Sequence, residues 1–333
     1  GVSTALRSCR SRLLAARRAS CCLLLEARRS RRGAASSPWA GTPSPVSDLR
    51  RLLEELEFEW GLTDLDCDPH VLTALQGALR EGQWQVTVAV FREREIIAIW
   101  PGYHDRTLGM AVDIGSTTIA AHLVDLASGE ALASSGRMNP QIRFGEDLMS
   151  RVSYVMMHPG SEQQMCDTVR AAVAELITEV CAEAKQSPDN ILDCTFVGNP
   201  IMHHLLLGLS PLELGGAPFA LATDSAVTVS AASLGLGINP GARCYVLPCI
   251  AGHVGADAAA MVLAEAPQQS EGVSLVVDVG TNAEIIVGNQ DKLLAASSPT
   301  GPAFEGAQIN SGQRAAPGAI ERVRINPENF EPK

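Results

Sequence analysis

The chain has 333 residues, 46% hydrophobic and 19% charged, which is the balance of a globular protein with room for two cores. No uninterrupted apolar run approaches the ~20 residues that cross a bilayer, so no membrane partner is expected. The net charge of −11 conceals an asymmetry: residues 1–32 carry nine arginines and one glutamate, leaving 17 basic against 36 acidic residues beyond them. An acidic body argues against nucleic acid as the main partner.

Residues 1–45 are Arg-rich, Ser-rich and almost free of acids, and resemble a transit peptide. The chain opens on Gly1 rather than methionine, so a fragment or a misplaced start explains this stretch equally well. It is expected to be disordered. Residues 46–106 read as a small α/β module. Leu49, Leu52, Leu53 and Leu56 recur at helical spacing between a Ser-Asp start and Gly61, "DPHVLTALQGALREG" repeats that arrangement, and "WQVTVAVFREREIIAIWPG" alternates as two strands about a charged turn.

Residues 107–268 read as a first lobe. "LGMAVDIG", "TTIAAHLVDL" and "EALASSGRM" are three strands, followed by an amphipathic helix with Met165, Val169, Val173, Ile177 and Val180 on one face. "ILDCTFVGN" and "CYVLPCIAG" are further strands, and "GADAAAMVLAEA" is a helix. Residues 269–333 begin a second lobe in which the opening order returns. A strand enters Asp278-Val-Gly-Thr-Asn282, and strands Ala283–Gly288 and Lys292–Ser297 follow. An apolar strand, Asp-x-Gly and hydroxyl or amide residues, then two more strands, thus occurs twice.

That repeat suits a polyphosphate. Glycine lets backbone approach an anion, successive N–H groups in such a turn form a concave anion site, and hydroxyls add donors. Asp113 and Asp278 suit Mg2+, which takes one or two carboxylates and keeps several waters. Two such loops facing each other across a cleft would grip the phosphates from both sides, and Asp113 is tolerable there because it borders a cation and water instead of a sealed core.

The strings "GMAVDIGSTTIAAHLVDLASGEALASSGRMNPQIRFGEDLMSRV", "FVGNPIMHHLLLGL", "YVLPCIAGHVGADAAAMVL" and "VVDVGTNAEIIVGNQDKLLAASSPTGPAFEGAQINSGQRAAPGAIERV" resemble the nucleotide-binding region of the reductive activators of corrinoid proteins. These belong to the superfamily of acetate and sugar kinases, actin and heat-shock chaperones. The resemblance implies duplicated ribonuclease-H-like α/β lobes, the second truncated here. It also implies ATP and Mg2+ as cofactors, a corrinoid protein as partner, a homodimer as one allowed assembly, and a cytoplasmic location. The implied activity is ATP-driven, uphill electron transfer to the corrinoid cobalt. Residue by residue it places Asp113, Gly115, Ser116, Thr117 and Thr118 in the first phosphate loop, and Asp278, Gly280, Thr281 and Asn282 in the second. Gly198, Asn199, Gly252, Gly255 and Asp257 would line the cleft, with Glu305 facing it and Arg314 in the same signature.

Two departures matter. The family's ferredoxin domain holds a [2Fe–2S] cluster on four cysteines, whereas Cys9, Cys21 and Cys22 lack that spacing, so no cluster is expected in this chain. The superfamily's adenosine loop lies further along than residue 333, so the chain reads as a middle fragment, expected to be inactive alone. A small-molecule kinase and a non-catalytic, ATP-gated protein-binding module are the rival readings. Phosphorylation of an added small molecule would favour the first, and nucleotide-dependent capture without turnover the second.

The nine cysteines form no CxxC and read as reduced core thiols, Cys244 and Cys249 included. His203 and His204 sit side by side in a helical apolar run, where adjacent side chains diverge, so they read as core or cleft-lining residues before metal ligands. Arg143, Glu146 and Asp147 suit either a substrate contact or a plain polar loop.

Overall fold

The computed structural model describes residues 22–27, 46–280, 282–299, 325–327 and 329. The small module has two helices, α1 (Asp48–Trp60) and α2 (Pro69–Glu81), on a sheet of β1 (Cys22–Ala27), β3 (Val86–Phe91), β4 (Glu95–Pro101) and the short β2 (Asp66–Cys67). Local chemistry sets the helix ends. Ser47 Oγ accepts from Arg50 N at α1, Gly61 closes that helix in the left-handed region (φ 70°), and Asp68 with Pro69 opens α2.

The expectation of disorder over residues 1–45 is corrected at Cys22–Ala27. This segment pairs antiparallel with β3 along its whole length, from Cys22 opposite Phe91 to Ala27 opposite Val86. The sheet edge offers a row of backbone partners, and a short apolar run without proline can take them. The other residues of 1–45 lie outside the described residues.

The first lobe is a six-stranded sheet in the order β7-β6-β5-β8-β10-β9, made of β5 (Leu108–Ile114), β6 (Thr118–Asp125), β7 (Ala131–Met138), β8 (Ile191–Gly198), β9 (Val227–Ser230) and β10 (Arg243–Val246). β5, β8 and β10 run parallel and β6, β7 and β9 antiparallel to their neighbours. β9 was not anticipated, and β10 is shorter than its apolar string because the chain leaves the ladder just before Pro248, which has no N–H to donate. α3 (Leu148–Met157), α4 (Ser161–Ala184) and α5 (Pro200–Leu207) share one core with the sheet, in which Met110, Val112 and Phe196 meet Val169, Val173 and Ile177. All five residues predicted for the inner face of α4 are buried.

Strand alternation then places the other face. Val197 points opposite to Phe196 and packs with Ala256 and Ala260 of α7 (Ala256–Glu265), the short α6 (Ala231–Leu234) lying earlier in the chain. α7 also packs on a second sheet, β11 (Ser274–Val279), β12 (Asn282–Gly288) and β13 (Leu293–Pro299), through Ala258, Met261 and Ile286. Its alanines let two sheets approach one helix. On β11 the alternation is strict: Val276 turns toward α7, whereas Leu275, Val277 and Val279 are exposed.

The module is tied to the lobe by Arg243. Its guanidinium bonds Asp68 Oδ2 at 3.0 Å and Glu95 Oε1 at 2.5 Å, and Leu192 of β8 packs among Ala89, Phe91, Ile97 and Ala98. Cys166, Cys181, Cys194, Cys244 and Cys249 are free and buried, Cys67 half-buried. Burial pushes the Cys249 thiol up to about 12. Cys244 lies beside Cys194 in the parallel register, inside the core.

Candidate nucleotide site

The first loop is a two-residue connection. Gly115 N donates to Thr118 O at 3.0 Å, and Ser116 and Thr117 lie between them. A Cβ on Gly115 would stand 2.6 Å from Thr118 O, so only glycine closes this turn. Three successive carbonyls of the loop are held from one side. Asn139 Nδ2 donates to Gly115 O at 2.8 Å, the Arg151 guanidinium donates to Ser116 O, and Asn139 N donates to Thr117 O at 2.7 Å. In a trans peptide the N–H points opposite its C=O, so these ties turn the Ser116 and Thr117 N–H groups to the other side.

A second segment meets this loop from β8. Asn199 Nδ2 donates to the buried Ser116 Oγ at 3.0 Å, while its Oδ1 accepts from Met202 N and caps α5. Gly198 and Gly255 allow three backbones to touch. A Cβ on Gly198 would lie 2.7 Å from Ile114 O, and one on Gly255 would lie 2.6 Å from Asn199 Cα. Asp257 sits in the first turn of α7, its Oδ1 accepting from Ala258 N at 2.7 Å. The structure therefore brings together Gly115, Ser116, Gly198, Asn199, Gly255 and Asp257. Gly252 is different: a Cβ there would meet the Phe219 carbonyl at 2.1 Å, so its close approach is to the loop before β9.

Both aspartates lie on sheet faces turned toward α7. Asp113 stands opposite Val197 in the β5–β8 register and shares its face, and Val197 packs on α7. Asp278 alternates in phase with Val276, which packs against the α7 cluster. In the second hairpin Asp278 faces Glu284, and Gly280 N donates to Asn282 O at 2.9 Å. Thr281 lies outside the described residues, as do Glu305 and Arg314. Among the described residues no cluster of three or more His, Cys, Asp or Glu side chains converges on a metal position. One or two carboxylates plus phosphate oxygens and water is what Mg2+ takes.

Asn139, Gln141 and Arg151 were missed from the sequence. Asn139 is fully buried and its Oδ1 accepts from Gln141 N, while Gln141 Nε2 donates to Met165 O at 2.8 Å. The signal existed for Arg151: it falls on the apolar stripe Leu148, Arg151, Val152 and Val155, where a charge has no reason to be unless something needs it. Arg143 bonds Thr168 Oγ1 at 3.0 Å and stacks on Phe144, and Asp147 caps α3 through Ser150, so both have local partners.

His204 has a bond at each nitrogen, with Pro200 O at 2.8 Å and from Ala222 N at 3.0 Å. Those bonds fix the neutral tautomer and leave no lone pair for a metal. Burial pushes His203 down to about 4. Its folded value lies below its unfolded one, so its contribution is present above pH 6.5 and is lost as pH falls toward 4. Stability at pH 5 should be about 2 kcal/mol below that at pH 7 from this group alone, measured by chemical denaturation. His203→Phe should flatten that limb, and an unchanged pH profile in the variant would assign the acid sensitivity elsewhere.

The comparisons with known proteins fit this geometry. The profile of the RACo middle region matches residues 108–270, that of the RACo linker region residues 40–106, and that of the C-terminal ASKHA domain of RACo residues 272–333. A solved structure described as "Reductive activator for corrinoid,iron-sulfur protein" superposes at TM-score 0.79 with 31% identity, covering 94% of this chain and 49% of that one. The chain belongs to the reductive activator family. It is 39% identical over 215 residues to the corrinoid activation enzyme RamQ of Eubacterium limosum, covering 65% of this chain and 36% of that protein. It is 28% identical over 225 residues to the [Co(II) methylated amine-specific corrinoid protein] reductase of Methanosarcina barkeri, covering 65% and 40%. The chain thus spans between a third and a half of the length of these reductive activators. Among the described residues no helix is long and apolar enough to cross a membrane.

Proposed function

We propose that this protein supplies the nucleotide-binding part of an ATP-dependent reductive activator, acting on a corrinoid protein. The observation that carries this reading is the placement of Asp113 and Asp278 on the faces of two sheets that share α7, each at the start of a Gly-containing turn. The three tied carbonyls aim the Ser116 and Thr117 amides at the phosphates, and Thr118, Gly280, Thr281 and Asn282 complete the two loops. Asp113 and Asp278 would hold Mg2+, which when bound would neutralise phosphate charge. Gly198, Asn199, Gly255 and Asp257 form the wall between the loops. Closure of the two sheets about α7 then changes the surroundings of the docked partner's cobalt, which takes up one electron from a donor outside this chain.

The test titrates the protein with Mg-ATP by calorimetry and then measures its binding to a cob(II)alamin-type corrinoid protein with and without the nucleotide. Mg-dependent ATP binding that changes the affinity for the corrinoid protein is expected. No ATP binding, or an affinity for the corrinoid protein that nucleotide leaves unchanged, would sink the proposal.

A further inference from the structure

Arg151 is fully buried, yet each of its hydrogen-bond partners is neutral. Nε donates to Gly145 O at 3.0 Å, one terminal nitrogen reaches Gln141 Oε1 at 3.3 Å and Met202 Sδ at 3.1 Å, and the other donates to Ser116 O. Among the described residues it joins no ion pair. The carboxylate whose field reaches it is Asp147, which is engaged as the α3 cap by Ser150 N at 2.7 Å. Burial lowers the guanidinium to about 10, so it keeps its charge at neutral pH. Sealing a cation away from water without a counter-charge is costly, and a chain that needed only packing on the α3 stripe would carry leucine or methionine there.

Its position shows what the charge can do. Arg151 bonds the carbonyl of the same peptide whose N–H belongs to Thr117, so it polarises that amide and strengthens it as a donor. Its positive charge therefore sits directly behind the loop, on the carbonyl side of the Ser116–Thr117 peptide. We propose that Arg151 is a positioning residue for the first phosphate loop, a buried cation with no ion-pair partner among the described residues, whose electrostatic partner is the bound polyphosphate. This rests on the nucleotide reading above and adds to it a source of anion selectivity below the loop.

Calorimetry of ATP and adenosine at fixed Mg2+, on the intact parent, Arg151→Lys and Arg151→Gln, separates charge from hydrogen bonding. Lysine keeps the charge without the fork, and glutamine keeps a donor without the charge. Arg151→Gln should bind ATP at least about tenfold more weakly than the parent, as loss of one nearby low-dielectric charge implies, with Arg151→Lys within about fivefold. The adenosine titration, the control for the uncharged part of the ligand, should look the same for the parent and both variants. ATP affinity in Arg151→Gln equal to the parent, or a Lys variant as weak as the Gln variant, overturns the inference. Should Arg151→Gln fail to fold, the 15N resonances of the parent's Arg151 guanidinium decide: a shift with ATP and none with adenosine supports it, and no shift with bound ATP overturns it. A parent that binds no ATP removes the nucleotide reading and this inference together, whereas the variant outcomes remove this inference alone.

Discussion

Asp113→Ala and Asp278→Ala are each expected to weaken Mg-dependent ATP binding by about 100-fold or more, since losing even an outer-shell partner of a metal site costs about 10–100-fold. Neither change should unfold the protein, because both side chains are half-buried at strand ends and not in a sealed core. The double variant is the sharper probe. If both carboxylates serve one ion, removing the second after the first should cost little more, a coupling that independent sites do not show. Additive losses in calorimetry would mean that the two hairpins bind separately.

Gly255→Ala should be a strongly damaging methyl beside the first loop. The new Cβ would lie 2.6 Å from Asn199 Cα and 2.7 Å from Gly198 O, and backbone atoms held in a strand-to-helix turn cannot step aside as a side-chain tip can. A cost of about 2–3 kcal/mol in denaturant titration follows from overpacking of this kind, with loss of ATP affinity because Asn199 also fixes Ser116. Gly77→Ala is the matched control. Gly77 lies exposed within α2 with no atom within 4 Å of the added Cβ, and alanine there should stabilise by about 0.5–1 kcal/mol. Equal effects at the two positions would refute the close approach at Gly255.

The legible parts of this protein are those with a period. The inner face of α4, the helices of the small module and the two hairpins all follow from apolar spacing and turn residues, and the resemblance of the second hairpin to the first made Asp113 and Asp278 readable together. What escaped was tertiary in origin. Asn139 looks like an ordinary cap before Pro140, and its role depends on β7 ending beside the Gly115–Thr117 turn. Arg151 is fixed by Gly145, Gln141 and Ser116, which only the folded chain gathers. Cys22–Ala27 was hidden by its Arg-rich surroundings, since composition over 45 residues masks a six-residue edge strand. Alternation could have placed Asp113 and Asp278 toward a common helix, but not before the register of β5 with β8 and the packing of α7 between two sheets were known.

In the proposed site the Ser116 and Thr117 amides are aimed at phosphate by the ties on the Gly115 and Ser116 carbonyls. Hydrogen exchange of the intact protein with Mg-ATP, with Mg2+ plus adenosine, and without ligand tests it at those two amides. Slowed exchange at Ser116 and Thr117 with Mg-ATP, and no slowing with adenosine, is the predicted result. Unchanged exchange at both amides under saturating Mg-ATP would contradict it.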